Sequence, residues 1–164
     1  MVMFEVVLIV ATFLCSIVAG LVFAFAVVVM PGIKNLNDRE FIRAFQAMDR
    51  IIQDNQPLFM LVWVGSILAL VVSTGLGVAA LSGGKRALLI VTTSLYLVAV
   101  QLPTFTINIP LNNKLQDLDI DAMSERDPQV VRAEFAPRWN RWNAIRTFFA
   151  SLVSVLLIIL VSQQ

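Results

Sequence analysis

Residues 138–161, RWNRWNAIRTFFASLVSVLLIILV, decide the class of fold, because their polar start leads into an apolar run that can cross a membrane. A helix needs about 20 apolar residues to span roughly 30 Å of hydrocarbon. Besides 144–161, three other stretches meet this requirement, namely 6–30, 59–81 and 87–109. The 164-residue chain is 59% hydrophobic and only 14% charged, which is far too apolar for a soluble domain. We therefore predict one all-α domain over residues 1–164, an integral membrane four-helix bundle.

A short amphipathic helix is predicted in the first loop, where residues 37–55 read NDREFIRAFQAMDRIIQDN. Apolar residues recur there at i, i+4, i+7 and i+11, and these are Phe41, Phe45, Met48 and Ile52. Asn37 can cap this helix while Glu40 reaches back from the third position. We expect the helix to lie in the membrane interface with its apolar face down, either as a tether for the loop or as a lid over a cavity.

Basic residues are distributed unevenly between the loops. Ten of the twelve follow the first or the third span, and these are Lys34, Arg39, Arg43, Arg50, Lys114, Arg126, Arg132, Arg138, Arg141 and Arg146. Only Lys85 and Arg86 lie in the tight turn between the second and third spans. By the positive-inside rule, the sequence predicts a multi-pass protein of the cell inner membrane, with loops one and three cytoplasmic and both termini outside.

The absence of histidine and the presence of a single cysteine, Cys15, exclude several classes of site. Histidine is the usual haem ligand, the commonest metal ligand and the commonest general base. One cysteine can form neither an intramolecular disulfide nor a thiolate cluster. We therefore predict no metal and no cofactor. The net charge of +1 gives no reason to expect a nucleic-acid partner.

Four polar residues share one face of the third span, and these are Thr93, Gln101, Thr104 and Asn108. At about 100° per residue they fall within an arc of roughly 80°. Polar side chains in hydrocarbon must find internal partners, so we expect this face to point into the bundle. Pro103 removes a backbone hydrogen bond from the same span and favours a kink. Pro110 is predicted to end the helix and to leave Asn112 and Asn113 in a turn.

A second polar stripe marks the start of the last span. Its members stand at i, i+3, i+4 and i+7, and they are Trp139, Trp142, Asn143 and Arg146. A guanidinium near the hydrocarbon edge costs several kcal/mol unless it snorkels to water or finds acceptors. We expect the stripe to face the third span, where the acceptors for Arg146 are Asn108, Asn112, Asn113 or an anionic ligand. The alternative is an aromatic belt of tryptophans, with arginines that anchor the span among lipid headgroups.

Four stretches of the chain are similar, in order and approximate spacing, to the anthrone oxygenase-like family of four-helix membrane proteins. They are AGLVFAFAVVVMPGI (19–33), FQAMDRIIQDNQPLF (45–59), NIPLNNKLQDLD (108–119) and RWNRWNAIRT (138–147). The resemblance covers most of the chain, and its most specific parts are the PLNN and RWNxxR motifs. Members of that family often carry histidine directly after the WN pair, where this chain has Ala144.

The resemblance implies a cofactor-independent oxygenation of a polycyclic phenolic anthrone to a quinone. An anthrone carries an acidic C–H bond conjugated to a carbonyl group, and its anion can react with O2 directly. The residues expected to stabilise the developing oxyanion are Arg146, Asn143, Asn112 and Asn113. Those expected to bind the ring system are Trp139, Trp142, Asn108, Thr104 and Gln101. No base is predicted, because the chain lacks histidine and no carboxylate is expected in the interior.

The sequence thus predicts a membrane-embedded protein that binds or oxygenates a flat, hydrophobic aromatic or quinone-like molecule, which reaches it from the lipid. Whether it is an enzyme stays open at this point. The alternative is a non-catalytic accessory or structural subunit, whose small-residue faces on the first two spans dock a membrane-protein partner or a second copy. The lipid bilayer is the other expected partner. A channel or transporter fits poorly, because no second ionisable residue lies deep in a span.

Overall fold

A computed structural model describes residues 2–164 and contains five helical elements. They are α1 (Val2–Ile33), α2 (Asp38–Gln53), α3 (Pro57–Ala80), α4 (Gly83–Gln116) and α5 (Asp127–Ser162). All but α2 are long and apolar enough to cross a membrane, and residues 2–164 form no strand. The prediction of an all-α membrane bundle is confirmed.

Helix α1 packs against both α3 and α5. Its inner face is formed by Leu8, Ala11, Cys15 and Val18, all fully buried and spaced alternately three and four residues apart. This spacing keeps one stripe of a helix in contact with its neighbours along the bundle. Large apolar side chains on the outer face, such as Phe13, are exposed as expected for a surface that contacts lipid.

A tight turn at residues 81–82 joins α3 to α4. Gly83 begins α4 with a φ of +54°, a backbone conformation that glycine adopts without steric cost. Three side-chain hydrogen bonds bridge the two helices, and from the turn outward they are Thr74–Thr93, Ser66–Tyr96 and Trp63–Gln101. The bridging side chains become longer along this series. The two helices therefore diverge with distance from the turn.

Helix α4 is not regular along its length. Two π-helical segments, Tyr96–Gln101 and Thr104–Asn108, flank Pro103, which has no backbone N–H to donate. The prediction that Pro110 ends the helix is wrong. Pro110 lies inside α4, just after the π-helical segment Thr104–Asn108, and the helix continues to Gln116, so Asn112 and Asn113 are helical.

Helix α2 closes one end of the bundle. It forms where the sequence predicts it, and Asn37 caps it by accepting a hydrogen bond from the backbone N–H of Glu40 at 2.9 Å. Its apolar side chains do not point into the bilayer interface. Phe41 and Phe45 are buried in a small core with Phe135 of α5 and residues near the end of α4. The helix is thus part of the protein core at this end.

The two basic loops meet at the same end as α2. Arg39 donates hydrogen bonds to the carbonyls of Ile120 and Met123, which joins the first loop to the loop between α4 and α5. At the opposite end, Lys85 donates to the carbonyl of Gln163. The uneven distribution of positive charge is therefore a difference between the two ends of one bundle.

Candidate functional site

A cavity of about 310 Å³ lies within the bundle near the α2 end. This volume is at the lower end of the range of roughly 300–1,000 Å³ for small-molecule sites. All five helices contribute to its wall, which is mainly apolar. The polar side chains that line it are Asp49, Gln53, Asn55, Thr104, Asn108, Asn112, Asn113, Asn143 and Arg146. Two sequence-predicted stripes, on α4 and α5, therefore meet at one site.

Arg146 points into this cavity and is only 5% exposed. Its Nη1 donates to Thr104 Oγ1 at 3.0 Å and its Nη2 to Asn143 Oδ1 at 2.8 Å. Its Nε has no hydrogen-bond partner, and no carboxylate forms an ion pair with it within residues 2–164. The lipid-anchor alternative is therefore wrong for this arginine, whose positive charge is held inside the protein.

The prediction that asparagines of α4 are the acceptors for Arg146 is wrong. Asn108, Asn112 and Asn113 do not bond to it; Thr104 and Asn143 do. Asn143 precedes Arg146 by three residues, so both side chains lie on one face of α5. Its amide nitrogen donates to the carbonyl of Val22 on α1 at 3.1 Å, which leaves its oxygen directed at the guanidinium. A contact between α1 and α5 thus fixes the orientation of Arg146.

Asn108 is 2% exposed, and neither its Oδ1 nor its Nδ2 has a hydrogen-bond partner among residues 2–164. Burying an amide without hydrogen bonds costs about 1–3 kcal/mol, so such groups are rare in folded proteins. Because Asn108 lines the cavity beside Arg146, its free donor and acceptor are available to a molecule bound there. The prediction that Thr93, Gln101, Thr104 and Asn108 face inward is confirmed, since all four are buried.

A buried carboxylate, Asp49 of α2, also lines the cavity and is only 4% exposed. Asn112 Nδ2 donates to its Oδ1 at 2.7 Å, and Gln53 Nε2 donates to its Oδ2 at 2.6 Å. Burial raises the pKa of this carboxyl group above its ordinary value, and the two hydrogen bonds lower the pKa by less. The expectation of no interior carboxylate is wrong.

The sequence contains a signal for Asp49. It follows Phe45 by four residues and precedes Ile52 by three, so it lies on the apolar stripe of α2. An acidic side chain on that stripe is either exposed to water or buried with hydrogen-bond partners. Only the packing of α2 against α4 and α5 decides between the two.

Trp139 connects the acidic and basic parts of the wall. Its Nε1 donates to Asn112 Oδ1 at 2.8 Å, and Arg146 Cζ lies 5.9 Å from the centre of its ring system. Phe25 and Phe45 pack against the same indole at centroid distances of 5.8 and 5.4 Å. Trp139 is therefore a buried wall residue and not a member of an interfacial aromatic belt.

The remaining predicted residues lie at different distances from the cavity. Asn113 reaches its exposed rim, where it accepts a hydrogen bond from Gln53 at 3.2 Å. Gln101 is buried just behind the wall and accepts a hydrogen bond from Trp63 at 3.1 Å. Trp142 is half-buried on α5 and does not line the cavity. Ala144 is exposed and lies outside the cavity as well.

An aromatic surface on α3 was not predicted from the sequence. Phe59 and Trp63 stack with their ring centres 5.5 Å apart and their planes 17° apart, and both line the cavity. Their spacing of four residues places them on one helical face, but apolar aromatic residues in a span are usually packing residues or lipid contacts. The divergence of α3 from α4 is what exposes this pair to the cavity.

The cavity opens sideways between α3 and α4. Wall residues on both helices are also exposed on the outside of the bundle: Met60 and Val64 on α3, and Phe105 and Ile109 on α4. Phe105, for example, is 54% exposed. This outer surface is apolar and belongs to two helices that are long and apolar enough to cross a membrane.

The chain matches a known protein family. The family described as anthrone oxygenase matches residues 45–156, which include the second half of α2, the stacked pair on α3 and both polar stripes. No curated protein and no solved structure matches the chain. The matched region is more than half of the 164 residues and contains every charged and amide side chain of the cavity wall. The chain therefore belongs to the anthrone oxygenase family.

Proposed function

We propose that this protein admits a flat, hydrophobic aromatic or quinone-like molecule from the bilayer and oxygenates it without a cofactor, as an anthrone is converted to an anthraquinone. Family membership supports this proposal, and so does a cavity whose wall reaches the apolar outer surface of two candidate membrane spans. An accessory subunit would be expected to have an occluded interior, so the cavity favours a small-molecule function.

The observation that carries the proposal is the unpaired charge of Arg146 inside the bundle. An isolated buried cation is costly, and this one is held in place by Thr104 and Asn143 without a carboxylate. When an anthrone loses its acidic proton, the negative charge moves onto the carbonyl oxygen. Arg146 Nε and the free amide of Asn108 are donors for that oxygen, and they need no rearrangement during the reaction.

The rest of the reaction needs little from the protein. The carbanion transfers electrons to O2, a C–O bond forms, and the resulting hydroperoxide loses water to give a second carbonyl. One O2 is consumed and one water is released per substrate. The stacked pair Phe59 and Trp63, with Trp139, provides aromatic surfaces for a planar ring system.

The test compares Arg146→Met with Arg141→Met in lipid nanodiscs. Arg141 lies on the same helix but is exposed, so its replacement controls for lost charge. We measure conversion of anthrone to anthraquinone in air by liquid chromatography, above the rate in empty nanodiscs. Arg146→Met should lower the rate by about 100-fold or more, as removal of an oxyanion donor does, and Arg141→Met should not change it. Equal rates in Arg146→Met and wild type would remove this site from the reaction.

We further propose that the α2 end of the bundle faces the cytoplasm and that both termini lie outside an inner membrane. The ten basic residues at or near that end support this orientation. To test this orientation, we introduce Asp54→Cys or Gln164→Cys into the Cys15→Ser protein. Intact cells are then treated with a membrane-impermeant maleimide. Only the Gln164 variant should react.

A further inference from the structure

We propose that Asp49 is the general base of this site and removes the acidic C–H proton of the substrate. The inference deepens the proposed function and rests on it.

The position of Asp49 satisfies the first requirement for a base, which is access to the substrate. Its carboxylate lines the cavity, although α2 itself does not cross the membrane. Each oxygen accepts one hydrogen bond, from Asn112 or from Gln53, and a carboxylate oxygen has a second lone pair. One lone pair on each oxygen is therefore left to accept a proton. Asn112 and Gln53 are positioning residues in this scheme.

The environment of Asp49 satisfies the second requirement, which is sufficient basicity. An exposed aspartate is a weak base because water stabilises its charge. Asp49 is buried, and its hydrogen-bond partners within residues 2–164 are the neutral amides of Asn112 and Gln53. Burial therefore raises the pKa of its carboxyl group. A catalytic carboxylate with a raised pKa is closer to the operating pH and accepts a proton more readily.

Asp49 and Arg146 are the two ionisable groups of the cavity wall, and they do not form an ion pair. The connection between them runs through the amide of Asn112 and the indole of Trp139. In an anthrone, the acidic C–H lies across the central ring from the carbonyl group. A ring system bound between these two groups can direct its C–H at Asp49 and its carbonyl oxygen at Arg146.

The proton balance closes with Asp49 alone. The carboxylate takes the C–H proton, and the electron pair of that bond passes to the carbonyl oxygen beside Arg146. After the C–O bond forms, protonated Asp49 returns its proton to the peroxide oxygen. A second C–H proton from the same carbon then moves to Asp49 as the O–O bond breaks. The departing hydroxide takes this proton and leaves as water, so the carboxylate is regenerated.

Proton exchange with water has a path that is separate from the lipid opening. Gln53 contacts both Asp49 and Asn113, and both Gln53 and Asn113 are exposed at the α2 end of the cavity. Water at that end can therefore reach the carboxylate along these amides. This arrangement allows the base to re-equilibrate even when a hydrophobic ring system fills the cavity.

The test uses anthrone as the probe and separates proton removal from oxygenation. In D2O and in the absence of O2, wild-type protein in nanodiscs should accelerate the exchange of the acidic C–H for C–D. Mass spectrometry of the anthrone measures this exchange. Asp49→Asn should lower this acceleration by about 100-fold or more, the usual contribution of a general base. Asp54→Asn is the matched control, because Asp54 follows the same helix but is exposed; it should exchange as fast as wild type.

A chemical rescue distinguishes a base from a merely structural residue. Asp49→Ala has a small space in place of the carboxylate, and added formate should restore part of the exchange in this variant. Unimpaired exchange in Asp49→Asn, or no response of Asp49→Ala to formate, would overturn the assignment. Wild-type protein that exchanges C–H for C–D but forms no anthraquinone in air would retain Asp49 as the base and refute the oxygenation. Wild-type protein that does neither would refute both.

Discussion

Replacing Asn108 by leucine should make the protein more stable and less active. Both polar atoms of the Asn108 amide are buried without partners, and each unsatisfied buried group costs about 1–3 kcal/mol. Leucine has a similar size and no polar atoms, and the adjoining cavity leaves room for its branched end. We therefore expect Asn108→Leu to raise the free energy of unfolding by about 1–3 kcal/mol. For a chain of this length, that corresponds to an increase in Tm of roughly 3–10 °C.

The matched control is Asn143→Leu. Asn143 differs from Asn108 because its amide is fully used, with its nitrogen bonded to the Val22 carbonyl and its oxygen to Arg146. Its replacement removes one of the two side-chain acceptors of the buried guanidinium and one of the hydrogen bonds to the Val22 carbonyl, so stability should fall by about 1–3 kcal/mol. Thermal unfolding of both variants in one detergent, followed by the far-ultraviolet circular dichroism signal, measures the two shifts.

Activity separates two explanations for the stabilisation. If Asn108 is retained because it binds substrate, Asn108→Leu should lower anthrone oxygenation at least tenfold while it raises Tm. A lower Tm in Asn108→Leu would show that the amide has partners in the membrane-embedded protein and would refute the reasoning. An increased Tm with full activity would keep the energetic argument and remove Asn108 from the site.

Two further predictions concern the base and the packing of the bundle. Anaerobic C–H exchange in the wild-type protein should rise with pH as Asp49 loses its proton. The midpoint should lie above the ordinary aspartate pKa of 3.8, because burial raises the pKa of this carboxyl group. Its neighbours Gln53 and Asn112 are neutral, and Arg146 is the other charged group of the cavity wall. An exchange rate that does not change with pH between about 3 and 8 would argue against this assignment. At the other end of the bundle, Gly77→Ala should lower stability by about 1–3 kcal/mol, since the new Cβ overlaps the Leu89 side chain and lies 2.8 Å from Phe4 Cε2. Gly75→Ala, whose new Cβ meets no atom within 4 Å and whose alanine favours the helix, should leave Tm equal or higher.

The fold could be predicted because each spanning helix must by itself be long enough, apolar enough and internally hydrogen-bonded to cross the hydrocarbon. Twenty apolar residues and internally paired backbone groups specify a spanning helix without reference to its neighbours. The same condition predicted the inward direction of the polar face on α4. The helix in the first loop followed from its own periodicity and its Asn37 cap. These are local properties, and a single sequence contains them.

The details of the site depend on how the helices pack, and the sequence does not specify them. The partners of Arg146 depend on the α1 carbonyl that orients Asn143, which is 121 residues away in sequence. Asp49 becomes a wall residue only because α2 folds back over the bundle. Each of these facts requires two elements to be placed relative to each other.

The divergence of α3 and α4 has a consequence for the supply of the two reactants of the proposed oxygenation. Dioxygen is an apolar gas that dissolves better in hydrocarbon than in water, and a fused aromatic compound partitions in the same direction. Through an opening in the side of the bundle, both can arrive by diffusion in the plane of the bilayer, where each is already concentrated. Protons travel at the aqueous end instead. Such an arrangement would let the membrane itself act as the reservoir for the reaction while the reactive anion stays away from bulk solvent.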